Sequence, residues 1–250
     1  MLLAVDVGNT NTVLGVFEGD KMTQSWRIRT QAAATSDELA LLFRGLLDGV
    51  EIDGLCVCST VPAALREIRR MSIKAFPGVP SVIVEPGTRT GVPILIDNPK
   101  EAGADRIMNT LAAHHLYGGP AIVVDFGTST NIDVVSVRGE FLGGALAPGI
   151  EIALDALASR AAALRKVELV PPRSVIGKGT VEALQSGMIY GVAGQVDGLV
   201  RRITAELGVP ATVIATGGLA SLVLAESETL EHYEPHLTLI GLRLVFDKNT

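Results

Sequence analysis

A short pattern occurs twice in this chain and limits its fold more than any other feature. Leu2-Leu3-Ala4-Val5-Asp6-Val7-Gly8-Asn9-Thr10-Asn11-Thr12-Val13 is echoed by Ala121-Ile122-Val123-Val124-Asp125-Phe126-Gly127-Thr128-Ser129-Thr130-Asn131-Ile132, and the two aspartates lie 119 residues apart. Each copy is an apolar run, an Asp, one residue, a Gly, then a string of hydroxyl and amide side chains. Apolar runs of this length bounded by glycine predict buried strands. The glycine lets the backbone turn tightly, and the N–H and OH groups after it suit anionic oxygens. A carboxylate at the end of a buried strand is a natural holder for the cation that accompanies phosphate. One such hairpin alone reads first as an ordinary Gly-Asn turn with a strand-end acid. Two of them predict a duplicated fold with phosphate chemistry between its halves.

The repeat spacing divides the 250 residues into two α/β domains, 1–117 and 118–250, with Gly118-Gly119-Pro120 as the boundary. A hydrophobic share of 48% supplies two sizeable cores. The net charge of −6, with no basic run, excludes a nucleic-acid partner, and 4% aromatic content excludes a base-stacking surface. Cys56 and Cys58 are two apart on an apolar run, which sets their Cα atoms roughly 6.5–7 Å apart along a strand. That is at or beyond the reach of a disulfide. Two thiols alone also make a poor zinc site, so they read as reduced and structural. No secretory signal precedes the first strand and no apolar run spans a bilayer. The expectation is a soluble, cytoplasmic protein with no membrane partner.

Along the first half, Leu2–Phe17 turns back into Thr23–Arg29, Ser36 caps a helix, and Leu55–Cys58 is a buried strand. A helix to about Phe76 and a short strand Ser81–Val84 follow. Asn98, Pro99 and Glu101 stand as N-cap, N1 and N3 of a helix running to Tyr117. The second half repeats the hairpin at Ile122–Val137 and adds an Ala-rich helix, Ile150–Leu164. A long helix over Val181–Leu207 is expected to loosen near Gly191 and Gly194. Ala211–Ala215 is a strand ending in Thr216-Gly217-Gly218, with a helix after it, and Leu239–Val245 closes the chain as a helix. Gly177-Lys178-Gly179-Thr180 is not a Walker loop, because it lacks the preceding strand and first glycine, and there is no dinucleotide fingerprint, because no strand leads into Gly-x-Gly-x-x-Gly. The four histidines and Trp26-Arg27 read as surface or packing residues.

These residues resemble the actin/hexokinase/Hsp70-type phosphotransferases, which share duplicated domains, two Asp-containing phosphate hairpins and a late Gly-Gly motif. Within that superfamily the chain is similar to the type III pantothenate kinases. The resemblance is carried by Asp6-Val7-Gly8-Asn9-Thr10-Asn11-Thr12, Asn98-Pro99, Gly103-Ala104-Asp105-Arg106, Asp125-Phe126-Gly127-Thr128, Gly143-Gly144-Ala145 to Pro148-Gly149, and Gly179-Thr180. It implies two actin-like (ribonuclease H-like) domains with mixed sheets and an active-site cleft between them. It implies a homodimer, and ATP-dependent phosphorylation of pantothenate in coenzyme A biosynthesis.

The same resemblance implies the site residues. Asp105 is the catalytic base, and Gly103, Ala104, Asp105, Arg106 and Thr180 bind pantothenate, with Arg106 as a bidentate clamp for its carboxylate. Asp6, Val7, Gly8, Asn9, Thr10, Asn11, Thr12, Val13 and Thr128 take ATP. Asp6 holds Mg²⁺, and Asp125 holds a monovalent cation, K⁺ or NH₄⁺. On periodicity alone Asp105 is a solvated boundary acid and Arg106 an exposed helix arginine. Two positions depart from the family pattern: Asn131 stands where a Thr is usual, and Ile96 where a Tyr is frequent. A relative that binds ligand without turnover, or a kinase for sugars or acetate, are the competing readings.

Overall fold

The computed structural model describes residues 1–161 and 166–250. The first sheet is built from β1 (Leu2–Val7), β2 (Asn11–Glu18), β3 (Lys21–Arg29), β4 (Gly54–Ser59) and β5 (Ser81–Ile83) in the order β3-β2-β1-β4-β5. Its hairpin strands pair antiparallel, and β1-β4-β5 run parallel, so the sheet is mixed. The second sheet has β6 (Ala121–Phe126), β7 (Ser129–Val135), β8 (Phe141–Pro148), β9 (Thr212–Thr216) and β10 (His232–Tyr233) in the order β10-β9-β6-β7-β8. The helices are α1 (Ser36–Leu46), α2 (Pro62–Ala75), α3 (Ala104–Tyr117), α4 (Ile150–Arg160), α5 (Thr180–Leu207) and α6 (Leu237–Asn249). Two mixed five-stranded sheets with their own helices are the expected duplicated α/β architecture.

The chain forms two compact units. The first comprises Met1–Val92, Asp97–Ala112 and Leu237–Thr250, and the second Pro93–Ile96 and Ala113–His236. This differs from a single division at residue 117. The closing helix α6 packs on β1 and β4 of the first sheet, so the C-terminal residues return to the first unit.

In the first unit alternate strand residues serve two faces. Leu3, Val5, Val7, Leu14, Val16, Leu55 and Val57 pack with Phe43, Ala64, Ile68 and Met71 of α1 and α2. The opposite face takes α6, where Gly15 leaves space for Leu239 and Gly54 for the Phe246 ring. In the second unit Ile122, Val124, Phe126 and Ile132 pack against Ala193, Val196 and Val200 of α5.

Several local outcomes differ from expectation. Thr35, not Ser36, caps α1: Thr35 and Glu38 form a reciprocal capping box, and Ser36 is the first helical residue. The helix α5 runs unbroken through Gly191 and Gly194, and ends at Gly208 in the left-handed conformation. After β9 only a single 3-10 turn, Ala220–Leu222, intervenes before the short parallel strand β10. The Ala-rich helix is observed to Arg160; the rest of that expectation falls largely on 162–165, outside the described residues.

Candidate active site

The turn joining β1 to β2 is clamped from three sides. Gly8 N–H donates to the Asn11 carbonyl at 3.0 Å, and Thr30 N–H donates to the Thr10 carbonyl at 3.0 Å. The Thr30 hydroxyl donates to the Gly8 carbonyl at 2.7 Å and lies 2.9 Å from the Thr12 hydroxyl. Behind the turn, Thr60 N–H donates to the Val7 carbonyl at 3.0 Å. Asn9 and Thr10 are exposed at the tip and Asn11 is half-buried, whereas Thr12 is buried with its hydroxyl engaged by Thr30. Thr12 therefore supports the turn rather than facing solvent. Gly8 does not adopt a left-handed conformation; its requirement is space, because a Cβ there would lie 3.1 Å from the Asn11 carbonyl oxygen.

Asp6 is the last but one residue of β1, on the face opposite α1 and α2. Its neighbours in register are Cys58 on β4 and Val13 on β2, and Val13 is in turn opposite Arg27 on β3. Cross-strand partners share a face, so Cys58, Asp6, Val13 and Arg27 form one row across four strands. The Cys58 thiol donates to Asp6 Oδ1 at 3.3 Å. Burial, and then the Asp105 charge, push the Asp6 carboxyl up to about 7, against the Cys58 hydrogen bond and the Arg27 charge, which pull it down. An acid so placed gains most by meeting a cation. Cys58 itself is fully buried, and burial pushes its thiol well above the usual range, so it stays a neutral donor that leaves the carboxylate charge intact.

Asp105 is reached by a break that sequence reading ran through as helix. Asn98 caps a 3-10 turn, Pro99–Glu101, and the chain then turns at Ala102-Gly103 before α3 starts at Ala104. Asp105 thus lies in the first turn of α3, where the unsatisfied N–H groups favour an anion. Its Oδ1 accepts from Arg106 N–H at 2.9 Å. A Cβ at Gly103 would lie against that same carboxylate oxygen, so a side chain there would have to displace it. Burial raises the Asp105 carboxyl above its ordinary value, only partly offset by the Arg106 N–H and guanidinium. The solvated boundary acid of the periodicity argument is in fact half-buried. The segment is held by α6: Gly241 sits against the Met108 backbone, and the Thr238 hydroxyl donates to Asn109 Oδ1 at 2.8 Å.

In the second unit Asp125 occupies the matching strand-end position, opposite Asn131 and beside Thr216. Gly217, at φ +91°, lets the backbone lie against Asp125 Oδ1 and the Phe126 carbonyl, where any Cβ would clash. Thr128 is exposed at the turn, whose carbonyls are pinned by close approach of Gly149. The Ser129 hydroxyl donates to Asn131 Oδ1 at 2.8 Å, so the departure at 131 is absorbed into the hairpin's own hydrogen bonding. Ile96 packs its Cγ2 close to Gly143, and Thr180 is exposed at the first turn of α5, after Gly179.

Among the described residues no group of three acids, histidines or cysteines could hold a metal ion. Mg²⁺ in phosphotransfer sites commonly takes one or two carboxylates and completes its shell with phosphate oxygens and water. A single strand-end acid with one oxygen fixed by a thiol fits that requirement. Sequence reading missed Cys58 and Arg27 as members of the Asp6 row. Only strand pairing reveals them, although a cysteine at the end of an apolar run was a usable cue.

A family model for type III pantothenate kinase matches residues 2–202. Curated relatives include type III pantothenate kinases of Frankia alni, 81% identical over 249 residues and covering all of both chains, and of Salinispora arenicola, 64% identical over 251 residues and again covering both chains fully. Among solved structures, the activator of the 2-hydroxyisocaproyl-CoA dehydratase from Clostridium difficile with bound ADPNP is similar over 99% of this chain and 95% of that one, with TM-score 0.58 at 15% identity. A ROK family glucokinase from Streptomyces griseus in complex with glucose and AMPPNP is similar over 99% and 98%, with TM-score 0.53 at 13% identity. These distant structures carry the fold alone, that of the actin-like kinases. The motif-bearing segments, the acids Asp6 and Asp105 in the first unit, and full-length identity to curated relatives converge: the chain belongs to the type III pantothenate kinase family.

Proposed function

We propose that this chain transfers the γ-phosphoryl group of ATP to the primary hydroxyl of pantothenate, giving 4′-phosphopantothenate and ADP, the first step toward coenzyme A. The observation that carries this reading is the pairing of two half-buried acids in the first unit, one at a strand end and one in the first turn of a helix, close enough for the charge of Asp105 to raise Asp6. Asp105 takes the proton of the attacking hydroxyl as its oxygen bonds to phosphorus and ADP departs. A carboxyl raised by burial is a better proton acceptor than a solvated one. Arg106 clamps the pantothenate carboxylate, beside backbone from Gly103 and Ala104, and Thr180 adds a polar contact. The turn Gly8-Asn9-Thr10-Asn11 and Thr128 receive ATP, with Thr12 holding the turn from behind, and Asp6 would hold the Mg²⁺ that neutralises charge on its phosphate oxygens. Asp125, with the Phe126 carbonyl beside it, offers hard oxygen ligands to K⁺ or NH₄⁺.

The enzyme works as a homodimer. Support comes from Val175, Ile176 and Val181, which are exposed near the start of α5, where Ser186 Oγ donates to the Val175 carbonyl at 2.6 Å. Sedimentation of the purified chain checks this. Cytoplasmic residence is supported by two free, buried thiols.

Incubation with ATP, Mg²⁺, K⁺ and pantothenate, followed by detection of 4′-phosphopantothenate, tests the reaction. Asp105→Asn is expected to lower kcat by roughly 10²–10⁴-fold with nucleotide affinity preserved. No product from the wild-type chain across a panel of cations would refute the reading.

A further inference from the structure

The row that passes through Asp6 ends in a residue that the proposed reaction has not used. Arg27 is exposed on the edge strand β3, opposite Val13, which is itself opposite Asp6. Arg27 and Asp6 therefore share a sheet face at two strand spacings, roughly 9.5 Å between backbones. Arg69, Arg70, Arg201 and Arg243 each sit in an ion pair, whereas Arg27 is in none among the described residues. Arg29, two residues further on, lies opposite Asn11 at the start of β2 instead.

We propose that Arg27 binds the γ-phosphate of the ATP whose Mg²⁺ Asp6 would hold. The inference rests on the kinase reading above for the identity of that ligand. Three features carry it. The separation is wide for a direct Asp6–Arg27 bond, yet it suits an anion that bridges them with its cation on the Asp6 side. Val13 between them is apolar and offers neither group an alternative partner. The guanidinium is exposed, so a ligand can reach it without opening the fold, and its planar fork matches phosphate oxygens two at a time. In the transition state the charge of the phosphoryl group is spread over its three peripheral oxygens, where a bound cation stabilises it.

Calorimetric titration of the full chain with Mg²⁺ and AMPPNP, and separately with Mg²⁺ and ADP, reads the contact without turnover. R27Q is expected to melt with the wild type, because the side chain is exposed, and to bind AMPPNP about tenfold or more weakly. ADP affinity stays within about twofold on the same reasoning, since ADP has no γ-phosphate for Arg27 to hold. R27K recovers part of the loss, a point charge replacing the fork. R66Q, on the exposed face of α2, serves as the charge-matched control and binds as the wild type does. Unchanged AMPPNP affinity in folded R27Q overturns the proposal, and so does an equal loss for ADP. A wild-type chain that binds AMPPNP but leaves pantothenate unphosphorylated refutes the kinase reading while leaving this measurement valid.

Discussion

The two Asp-x-Gly hairpins begin alike and end differently. Both first strands show the same burial, four buried residues, a half-buried Asp and one more buried residue. Their turns differ by one residue. Four residues, Gly8 to Asn11, separate the paired Val7 and Thr12, while three, Gly127 to Ser129, separate Phe126 and Thr130. Closure differs accordingly: Gly8 N–H reaches the carbonyl three residues on, and Gly127 N–H the carbonyl two residues on. Counting forward from each Asp equates Thr12 with Asn131. Strand pairing instead matches Thr12 with Thr130, and sets Val13 opposite Asp6 but Asn131 opposite Asp125.

A one-residue change in a turn moves the following side chains to the other face of the sheet. That is why the copies offer different chemistry. Asp6 sits in a row with an apolar residue, a thiol and an arginine, and feels a second acid. Asp125 faces an amide and lies against a backbone carbonyl and a glycine. The first surroundings concentrate negative charge and call for a strongly charged cation with phosphate. The second are rich in neutral oxygen and suit a weakly hydrated monovalent ion.

The largest expected effect that sharpens this contrast is the pH dependence of stability. The Asp6 carboxyl is raised from 3.8 to about 7 in the fold, so between these values the native state holds a proton that the unfolded chain has released. Stability should therefore fall as pH rises from about 4 to about 7, and then level. The full cost above that window is about 4 kcal/mol, from 1.36 kcal/mol per unit, as an upper bound. Asp6→Asn removes the charge and keeps the shape. In metal-free buffer at pH 8 it should be more stable than the wild type, converging with it at pH 4. Asp105, also raised, contributes in the same direction, so the slope shrinks rather than vanishing. Added Mg²⁺ should stabilise the wild type and leave Asp6→Asn unmoved. Chemical denaturation across pH 4–8 reads all of this, and a variant with an unaltered slope would remove Asp6 from the charged corner.

Much of this architecture was legible in the residues because it depends on local order. Apolar runs ended by Asp-x-Gly became strands, and the long helix ended at Leu207 as its residues indicate. What sequence could not convey was pairing. Nothing near Cys58 announces that β4 lies parallel to β1 with that thiol beside Asp6. Nothing near Leu237 announces that the last helix packs on the first sheet, where Gly15 and Gly54 had left room for it. The break before α3 was masked by Asn98-Pro99, a sound start signal that here opens only a 3-10 turn. The catalytic assignment of Asp105 came from family resemblance, since its half-burial depends on the chain turning at Ala102-Gly103.

The smallest expected effect tests the register argument itself. Thr12 and Thr130 are structural counterparts, each buried at the first pair beyond its turn. The Thr12 hydroxyl lies 2.9 Å from that of Thr30, which also donates to the Gly8 carbonyl. The Thr130 hydroxyl has no hydrogen-bond partner among the described residues. Replacing a bonded buried hydroxyl by methyl costs about 1 kcal/mol, while replacing an unbonded one relieves its desolvation. Thr12→Val should therefore lower Tm by about 2–4 °C, the shift expected for that energy in a chain of this size. Thr130→Val should leave Tm unchanged or raise it by a similar amount. Paired melting curves decide the matter. Equal losses in both variants would mean that the Thr130 hydroxyl is bonded in solution, and that the two hairpins are more alike than their turns suggest.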